Sequence, residues 1–342
     1  MEKIKTTYSM WNKFRSCPKS CQFRYLENLV PLKKDSNLTF GSVIHECLEC
    51  WHGDYNVGMV YKILDEMYPE RATNENQKYT YRYARAMMTG YFQAYVSDKD
   101  SFEVVCLEKE FQGEIINPKT GSFSRSFSFA GKVDGVVKVA GEHYLLEHKT
   151  ASTIDSTYIE RLWNDFQITL YSWYMREVYK YPIVGIIYNI LGKAKLKQGE
   201  GETEAEYETR RQELIAKSKS GKTTAKRKMP ETDEEYHERL QKKCSDPKMF
   251  HREIIYISQD RYADLRQELW ELSQTFLFAR RRKFFCKNTS SCYQYRRQCA
   301  YHPICTAKDP QMAIDNFFEK VEPHQELSVG KSEDETVAEL SF

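Results

Sequence analysis

The sequence predicts an α/β protein with one central mixed sheet flanked by helices, and three observations carry that prediction. Strand-type runs crowd into residues 102–149. Helix-spaced apolar residues fill the segments before and after them. A further apolar run at 183–191 returns as a strand after the next helix, which gives an α-β-β-β-α-β order of the layered α/β kind.

The elements follow in order. Helices are predicted at 8–16, 40–52, 57–67 and 79–96, so that residues 1–100 form an N-terminal helical region. The core, 101–191, holds strands at 102–111, on either side of Asn117-Pro118-Lys119-Thr120-Gly121, at 126–139 and at 143–149. It continues with a long amphipathic helix at 158–179 and the strand at 183–191. Ala140-Gly141-Glu142 makes the 126–139 and 143–149 strands a hairpin. Residues 192–249 interrupt the core as a charged insertion. In it Glu202-Thr203-Glu204-Ala205-Glu206-Tyr207 and Glu231-Thr232-Asp233-Glu234-Glu235-Tyr236 are near-duplicates, each with a Thr followed three residues later by Glu, the capping-box signature. Two short helices flanking a basic linker are expected there, either clamping DNA or forming a solvated excursion. Residues 250–305 supply a returning strand, a helix at 259–285 and a cysteine-rich end; 306–342 reads as an acidic, disordered tail.

A chain of 342 residues can bury a full core as one large domain or two small ones. The net charge of +2 hides an asymmetry, since the tail from residue 306 carries about −6 and the rest about +8. One basic block, Arg280-Arg281-Arg282-Lys283 with Lys287, Arg296 and Arg297, is interleaved with Phe284, Phe285, Tyr293 and Tyr295, a pairing of cations and rings suited to single-stranded nucleic acid. A second, 217–228, has six positive charges and no negative one; flexible linkers share that composition. No apolar run reaches membrane-spanning length and no signal-peptide pattern follows Met1, so a cytoplasmic protein is expected.

The chemistry concentrates in the hairpin. Asp134 on one strand, and Glu147 and Lys149 two apart on the next, place two carboxylates and an ammonium at one end of a sheet. Hard cations such as Mg²⁺ or Mn²⁺ take such oxygen ligands, and the backbone carbonyl of His148 is a further donor. Lys149 then stands beside an attacking water or scissile phosphate. Ordinary solvated hairpins carry the same residues. Two segments add to them: Gly41 to His45, with His45 one helical turn beyond the glycine, and Gln167 with Tyr171 at i, i+4 on one helix face. Glu108 and Glu110 are read as outward-facing strand residues near the site.

Taken in order, Gly41/His45, Asp134, Glu147/Lys149 and Gln167/Tyr171 resemble the RecB-like branch of the PD-(D/E)xK nuclease superfamily, with Val133 where the naming Pro would stand. The resemblance implies a restriction-endonuclease-like core and a metal-dependent DNase using Mg²⁺ or Mn²⁺. It implies His45, Asp134, Glu147 and the His148 carbonyl as metal ligands and Asp134, Glu147 and Lys149 as catalytic residues. Gln167 and Tyr171 become DNA-contacting or site-ordering residues.

Ten cysteines without a secretory context point to metal binding rather than disulfides. Cys286, Cys292, Cys299 and Cys305 lack the paired knuckles of a zinc ribbon. They resemble the pattern of AddB-type and CRISPR-associated RecB-like nucleases, where one upstream Cys and three after the core hold a [4Fe–4S] cluster. That resemblance implies Cys17, Cys292, Cys299 and Cys305 as ligands, with Cys21 and Cys286 as rivals and zinc as the alternative occupant. The expected function is a single-strand-preferring DNA exonuclease in phage or bacterial recombination, repair or processing, served by a helicase, single-strand-binding or recombinase partner. A DNA-binding accessory protein with little turnover is the alternative.

Overall fold

A computed structural model describes residues 3–32, 36–67, 75–294, 297–324 and 327. Arg296, Tyr295 and residues 328–342, to which the sequence reading gave parts of a basic patch and an acidic tail, lie outside them. In chain order the elements are β1 (Ile4–Thr6), α1 (Tyr8–Ser16), α2 (Pro18–Tyr25), β2 (Leu29–Pro31), α3 (Ser36–Asp54), α4 (Val57–Met67), α5 (Glu75–Ala94) and α6 (Asp98–Ser101). The sheet strands β3 (Glu103–Ile116), β4 (Phe123–Val139) and β5 (Glu142–Ala151) precede α7 (Ser156–Leu162), α8 (Phe166–Tyr179) and β6 (Ile183–Gly192). Then come α9 (Glu204–Lys217), α10 (Asp233–Cys244), β7 (Phe250–Tyr256), α11 (Gln259–Arg281), β8 (Tyr293–Gln294), β9 (Arg297–Gln298), α12 (His302–Thr306), α13 (Pro310–Phe317) and β10 (Phe318–Lys320).

Among the described residues the main sheet runs β1-β4-β5-β6-β7, with β3 on the other edge of β4. β4 and β5 form the expected hairpin. Its two loop residues, Ala140 and Gly141, have φ of 51° and 84°, the left-handed pair that turns strands without splaying them. The β4–β5 ladder runs from Val139↔Glu142 to Gly135↔Leu146 and stops. Beyond it β1 takes over the β4 edge at Phe127 to Phe129, while β5 continues in parallel pairing with β6. The two strands therefore part in a fork just where Asp134 and Glu147 face each other.

Apolar packing holds this fork from both sides. On one, α1, α8 and α11 bury Trp11, Phe14, Tyr171, Tyr174 and Phe276 against Phe127, Phe129 and Leu145. On the other, α3, α4, α5 and α10 bury Ile44, Leu48, Tyr91, Tyr236 and Leu240 with Leu191 of β6. Burying an aliphatic or aromatic side chain contributes about 1.5–3 kcal/mol, so the helix that carries His45 is anchored by neighbours on either side of it in sequence.

Two expectations are revised. The single helix at 158–179 is two, because Asp165 leaves helical geometry and caps α8 by accepting from the Gln167 N–H. Residues 310–320, assigned to a disordered tail, form α13 and β10, and β10 pairs with β2.

Candidate active site

The site is assembled at the fork from four elements. β4 supplies Asp134, β5 supplies Glu147, His148 and Lys149, α3 supplies His45 and α8 supplies Gln167 and Tyr171. His45 Nδ1 lies 3.3 Å from one Asp134 oxygen, and the other oxygen accepts from the His148 backbone N–H at 2.7 Å. That backbone bond replaces the lost ladder pairing where the strands part and orients the carboxylate. Strand alternation sends Glu147 and Lys149 to the α8 side and His148 to the opposite one.

Glu147 and Lys149 are ion-paired, and Lys149 also donates to Gln167 Oε1 at 3.2 Å. Tyr171, one helical turn beyond Gln167, packs its ring on Phe111 at 5.3 Å between centroids. Gln167 thus ties the lysine's ammonium to α8.

Glu108 is the residue that sequence reasoning undervalued. The β3–β4 ladder pairs Leu107↔Gly135 and Lys109↔Val133 but skips Glu108 and Asp134 between them. Glu108 has φ 45°, a left-handed conformation that costs a non-glycine residue about 1–3 kcal/mol. This kink puts its carboxylate, ion-paired to Lys132, in one group with His45 and Asp134. Donor atoms of these three all lie within 4.8 Å of one another. The strand spacing carried no signal for it; Glu110 stays exposed on the regular strand.

Electrostatics follow from burial and crowding. Burial disfavours the His45 cation, but the Asp134 carboxylate overrides it and holds the imidazole at about 9. Burial works to raise Asp134, but the His45 charge and hydrogen bond together with His148 and its backbone N–H hold it well below the usual carboxylate range. Burial, with the Asp134 charge adding and Lys149 opposing, raises Glu147 to about 7. Glu108 and Glu49 are also raised, in both cases chiefly by burial. Lys149 is held above its usual value, burial being overcome by Glu147, so it remains an ammonium rather than a base. An imidazole and several carboxylates crowded beyond what the local cations neutralise fit a hard divalent cation, which takes oxygen and imidazole donors and relieves the crowding.

Behind the site, in-register residues of three strands form a sealed polar row. His148, Asn189 and Arg252 pair across β5, β6 and β7. Asn189 contacts His148 Nδ1 at 3.3 Å, bonds the Tyr91 hydroxyl and accepts from Arg252 at 3.2 Å; Arg252 grips Asp98 through two bonds of 2.8 Å. His52 stacks on His148 at 5.3 Å and meets Tyr91 at 3.1 Å. Burial lowers His148 to about 3 and places His52 well below its usual value, so both rings are neutral.

The fold and the site define a class, an α/β nuclease-type core with a carboxylate–histidine–lysine centre at a sheet fork. Residues 5–306 match the PD-(D/E)XK nuclease superfamily, and the chain belongs to that superfamily. Membership supports catalytic nuclease activity and makes the protein a hydrolase. Among solved structures, it is similar to a candidate exonuclease from Eubacterium rectale, at 10% identity and TM-score 0.45 over 96% of this chain and 94% of that one. It is also similar to SSO0001, at 10% identity and TM-score 0.30 over 80% and 78%. Comparison with curated proteins gives no match. No helix among the described residues is long and apolar enough to cross a membrane.

The cysteine expectation is corrected. Among the described residues the group with metal-sharing distances is His45, Glu108 and Asp134, and it contains no thiol. Cys17, Cys292, Cys299 and Cys305 are partly buried free thiols at the joint between α1 and the C-terminal elements, and they form no such group. Cys21 is buried and donates weakly to the Met10 carbonyl, and Cys286 is exposed. The joint is held by other means: Asn288 and Ser291 both donate to the Ser16 carbonyl at 2.8 Å, and Tyr301 stacks on Phe23 and Phe318. Neither the iron–sulfur cluster nor the zinc alternative is supported, and the Cys-ligated C-terminal segment drops out of the fold description.

Proposed function

We propose that this chain is a metal-dependent DNA nuclease that degrades DNA from single-stranded ends, using Mg²⁺ or Mn²⁺, in recombination, repair or processing. The observation that carries the reading is the meeting of His45, Glu108 and Asp134 beside a lysine pinned by Glu147 and Gln167. In this reading His45, Asp134, Glu147 and the His148 carbonyl are the metal's ligands, joined by Glu108. The bound ion supplies Lewis-acid activation of the phosphate and of the attacking water.

The protein's own residues do the rest. Lys149, cationic throughout the working pH range, balances the charge that develops on the phosphate oxygens. Gln167 keeps that ammonium from swinging away, and the His148 N–H holds Asp134 in place. The preference for single strands is supported by the exposure of Arg280, Arg281, Arg282, Lys283 and Lys287 in the same stretch of chain as the exposed rings of Phe278, Phe284 and Tyr293, with Arg282 over the Phe278 ring. Rings stack unpaired bases while cations hold phosphates.

A time course on 5′- and 3′-labelled single-stranded oligonucleotides, with Mg²⁺, Mn²⁺ or chelator, tests this reading. Stepwise, metal-dependent shortening from one end is expected. Binding without cleavage in either metal would overturn it in favour of an accessory DNA-binding role.

A further inference from the structure

The insertion between β6 and β7 is not a loose linker but a duplicated, reciprocally clasped unit. In the first copy, α9 grips the extended segment 225–228: the Tyr207 hydroxyl donates to the Ala225 carbonyl at 3.1 Å and Arg210 to the Lys226 carbonyl at 2.9 Å. Glu202 accepts from the Lys228 N–H at 3.0 Å. In the second, α10 grips 196–199 in the same order: Tyr236 donates to the Leu196 carbonyl at 3.1 Å, Arg239 to the Lys197 carbonyl at 2.7 Å, and Glu231 accepts from the Gly199 N–H at 2.8 Å. Each glutamate also accepts two bonds from its arginine, one from Nε and one from Nη2, and each helix starts with a complete capping box. Each helix holds the strand that leads into the other, so the sequence Glu-Thr-x-x-Glu-Tyr-x-x-Arg, repeated, closes on itself about a local dyad. Gly201, with φ 76°, lets the strands cross, since a Cβ there would meet the Pro230 nitrogen at 2.5 Å.

The two copies differ in their surroundings. α10 is embedded, burying Tyr236, Leu240 and Cys244, with Asp233 bonded to Arg82 of α5 at 2.7 Å. α9 buries nothing and projects. Its acidic residues are largely spent on internal pairs, Glu202 with Arg210, Glu204 with Arg227 and Glu208 with Arg211. Lys217, Lys219, Lys222 and Lys226 are left exposed along the end of α9 and the chain returning from it, and no described carboxylate pairs with them. The unit leaves the sheet at Gly192, paired with Ala151, two residues or about 7 Å along the strand from Lys149.

We propose that this clasped arm is a phosphate-binding outrigger: Lys217 ends α9, Lys226 lies in the clasped return segment, and Lys219 and Lys222 stand on the short turn joining them, so that the four ammonium groups engage the sugar–phosphate chain of a nucleic acid strand running beyond the cleavage site. The clasp matters because it reduces the ordering cost that lysines on a free loop would meet on binding. The grips themselves contact only backbone atoms and charge, so they set the arm's shape without reading sequence. This inference rests on the DNA-nuclease reading and adds to it the substrate's length: contacts at the arm exist only for strands long enough to reach it.

The test uses the full chain with Lys217, Lys219, Lys222 and Lys226 all changed to Gln. Binding of a fluorescent single strand of ~30 nucleotides is measured in chelator across a salt series. A strand of ~5 nucleotides serves as the short cleavage substrate. Each lysine–phosphate contact contributes about 0.7 to the slope of log K against log salt, so a loss of up to ~3 is expected, with an unchanged rate on the short substrate. A second variant, Glu202→Gln with Arg210→Met, keeps the lysines but opens the projecting clasp; it is expected to bind the long strand about 3- to 10-fold more weakly at an unchanged salt slope. Wild-type slope and affinity in the four-lysine variant would overturn the outrigger, and wild-type affinity in the opened variant would overturn its pre-ordering. A wild-type protein that cuts neither strand defeats the nuclease reading instead, so the two failures are distinguishable.

Discussion

The two faces of β5 carry opposite kinds of polar chemistry. On one, Glu147 and Lys149 meet at a fork left open between strands, with His45, Glu108 and Asp134 nearby. On the other, His148 lies in a closed row with Asn189, Arg252, Asp98, Tyr91 and His52, in which partners are supplied by protein. Residues one apart in sequence thus belong to two environments, one with charges crowded together and one with polar groups bonded largely to one another, His52 Nδ1 being the buried exception. The comparison separates crowding from rigidity: the row fixes the strand whose other side carries the proposed catalytic pair.

The largest expected effect is on the reactive face. Lys149→Ala should reduce cleavage about 10³-fold while leaving DNA binding and melting temperature nearly unchanged, as measured by single-turnover rates and thermal unfolding. Little stability should be lost, because Glu147, already raised to about 7 by burial, can take up a proton when its partner goes. A Lys149→Ala protein that retained full activity would break the comparison at its centre.

Next in size is the sealed face. Asp98→Asn leaves the Arg252 guanidinium without its buried counter-charge and should destabilise the fold by about 3 kcal/mol, read in denaturant unfolding. The cleavage rate at a temperature where the variant stays folded should change far less than in Lys149→Ala. A variant as stable as the parent but catalytically dead would mean that the row acts on chemistry directly.

Glu108→Gln sharpens the boundary of the reactive face. It should weaken Mn²⁺ binding roughly 10- to 100-fold, measured calorimetrically, with DNA affinity in chelator retained. The smallest effect concerns acid sensitivity. His52 is neutral in the fold and has its usual pKa near 6.5 when unfolded, so between that value and its depressed folded pKa the unfolded chain binds one more proton. Stability from this group is present above about pH 6.5 and is lost as pH falls. His52→Phe should therefore flatten the dependence of unfolding free energy on pH just below 6.5, by up to about 1.4 kcal/mol per unit; an unchanged slope would show that the ring titrates in the folded protein.

Much of this was legible before any coordinates. Strand alternation separated Glu147 and Lys149 from His148, helical spacing put Gln167 and Tyr171 on one face, and the Ala140-Gly141 turn joined the two strands. Glu108 was hidden because its place depends on a left-handed backbone angle at an ordinary residue, which no pattern of residue types announces. The break before α8 did carry a signal, Asp165 as an N-cap, but continuous apolar spacing on both sides masked it. The cysteines show the opposite limit: their type and order were plain, yet the distances between thiols depend on packing far away in sequence. The capping boxes of α9 and α10 could be read, whereas the exchange of strands between the two copies could not, since it is a property of pairing rather than of either segment.

The clasp also has a consequence for how this protein could have come by its arm. Glu231 and Gly199 are joined by a pair of bonds, the Glu231 N–H to the Gly199 carbonyl and the Gly199 N–H to the Glu231 carboxylate, so everything between them begins and ends at one point. A segment with coincident ends can be gained or lost by a gene in a single event without pulling the sheet apart. The projecting half of the arm is in that sense a removable accessory, and the fork at Asp134 owes it no structural debt.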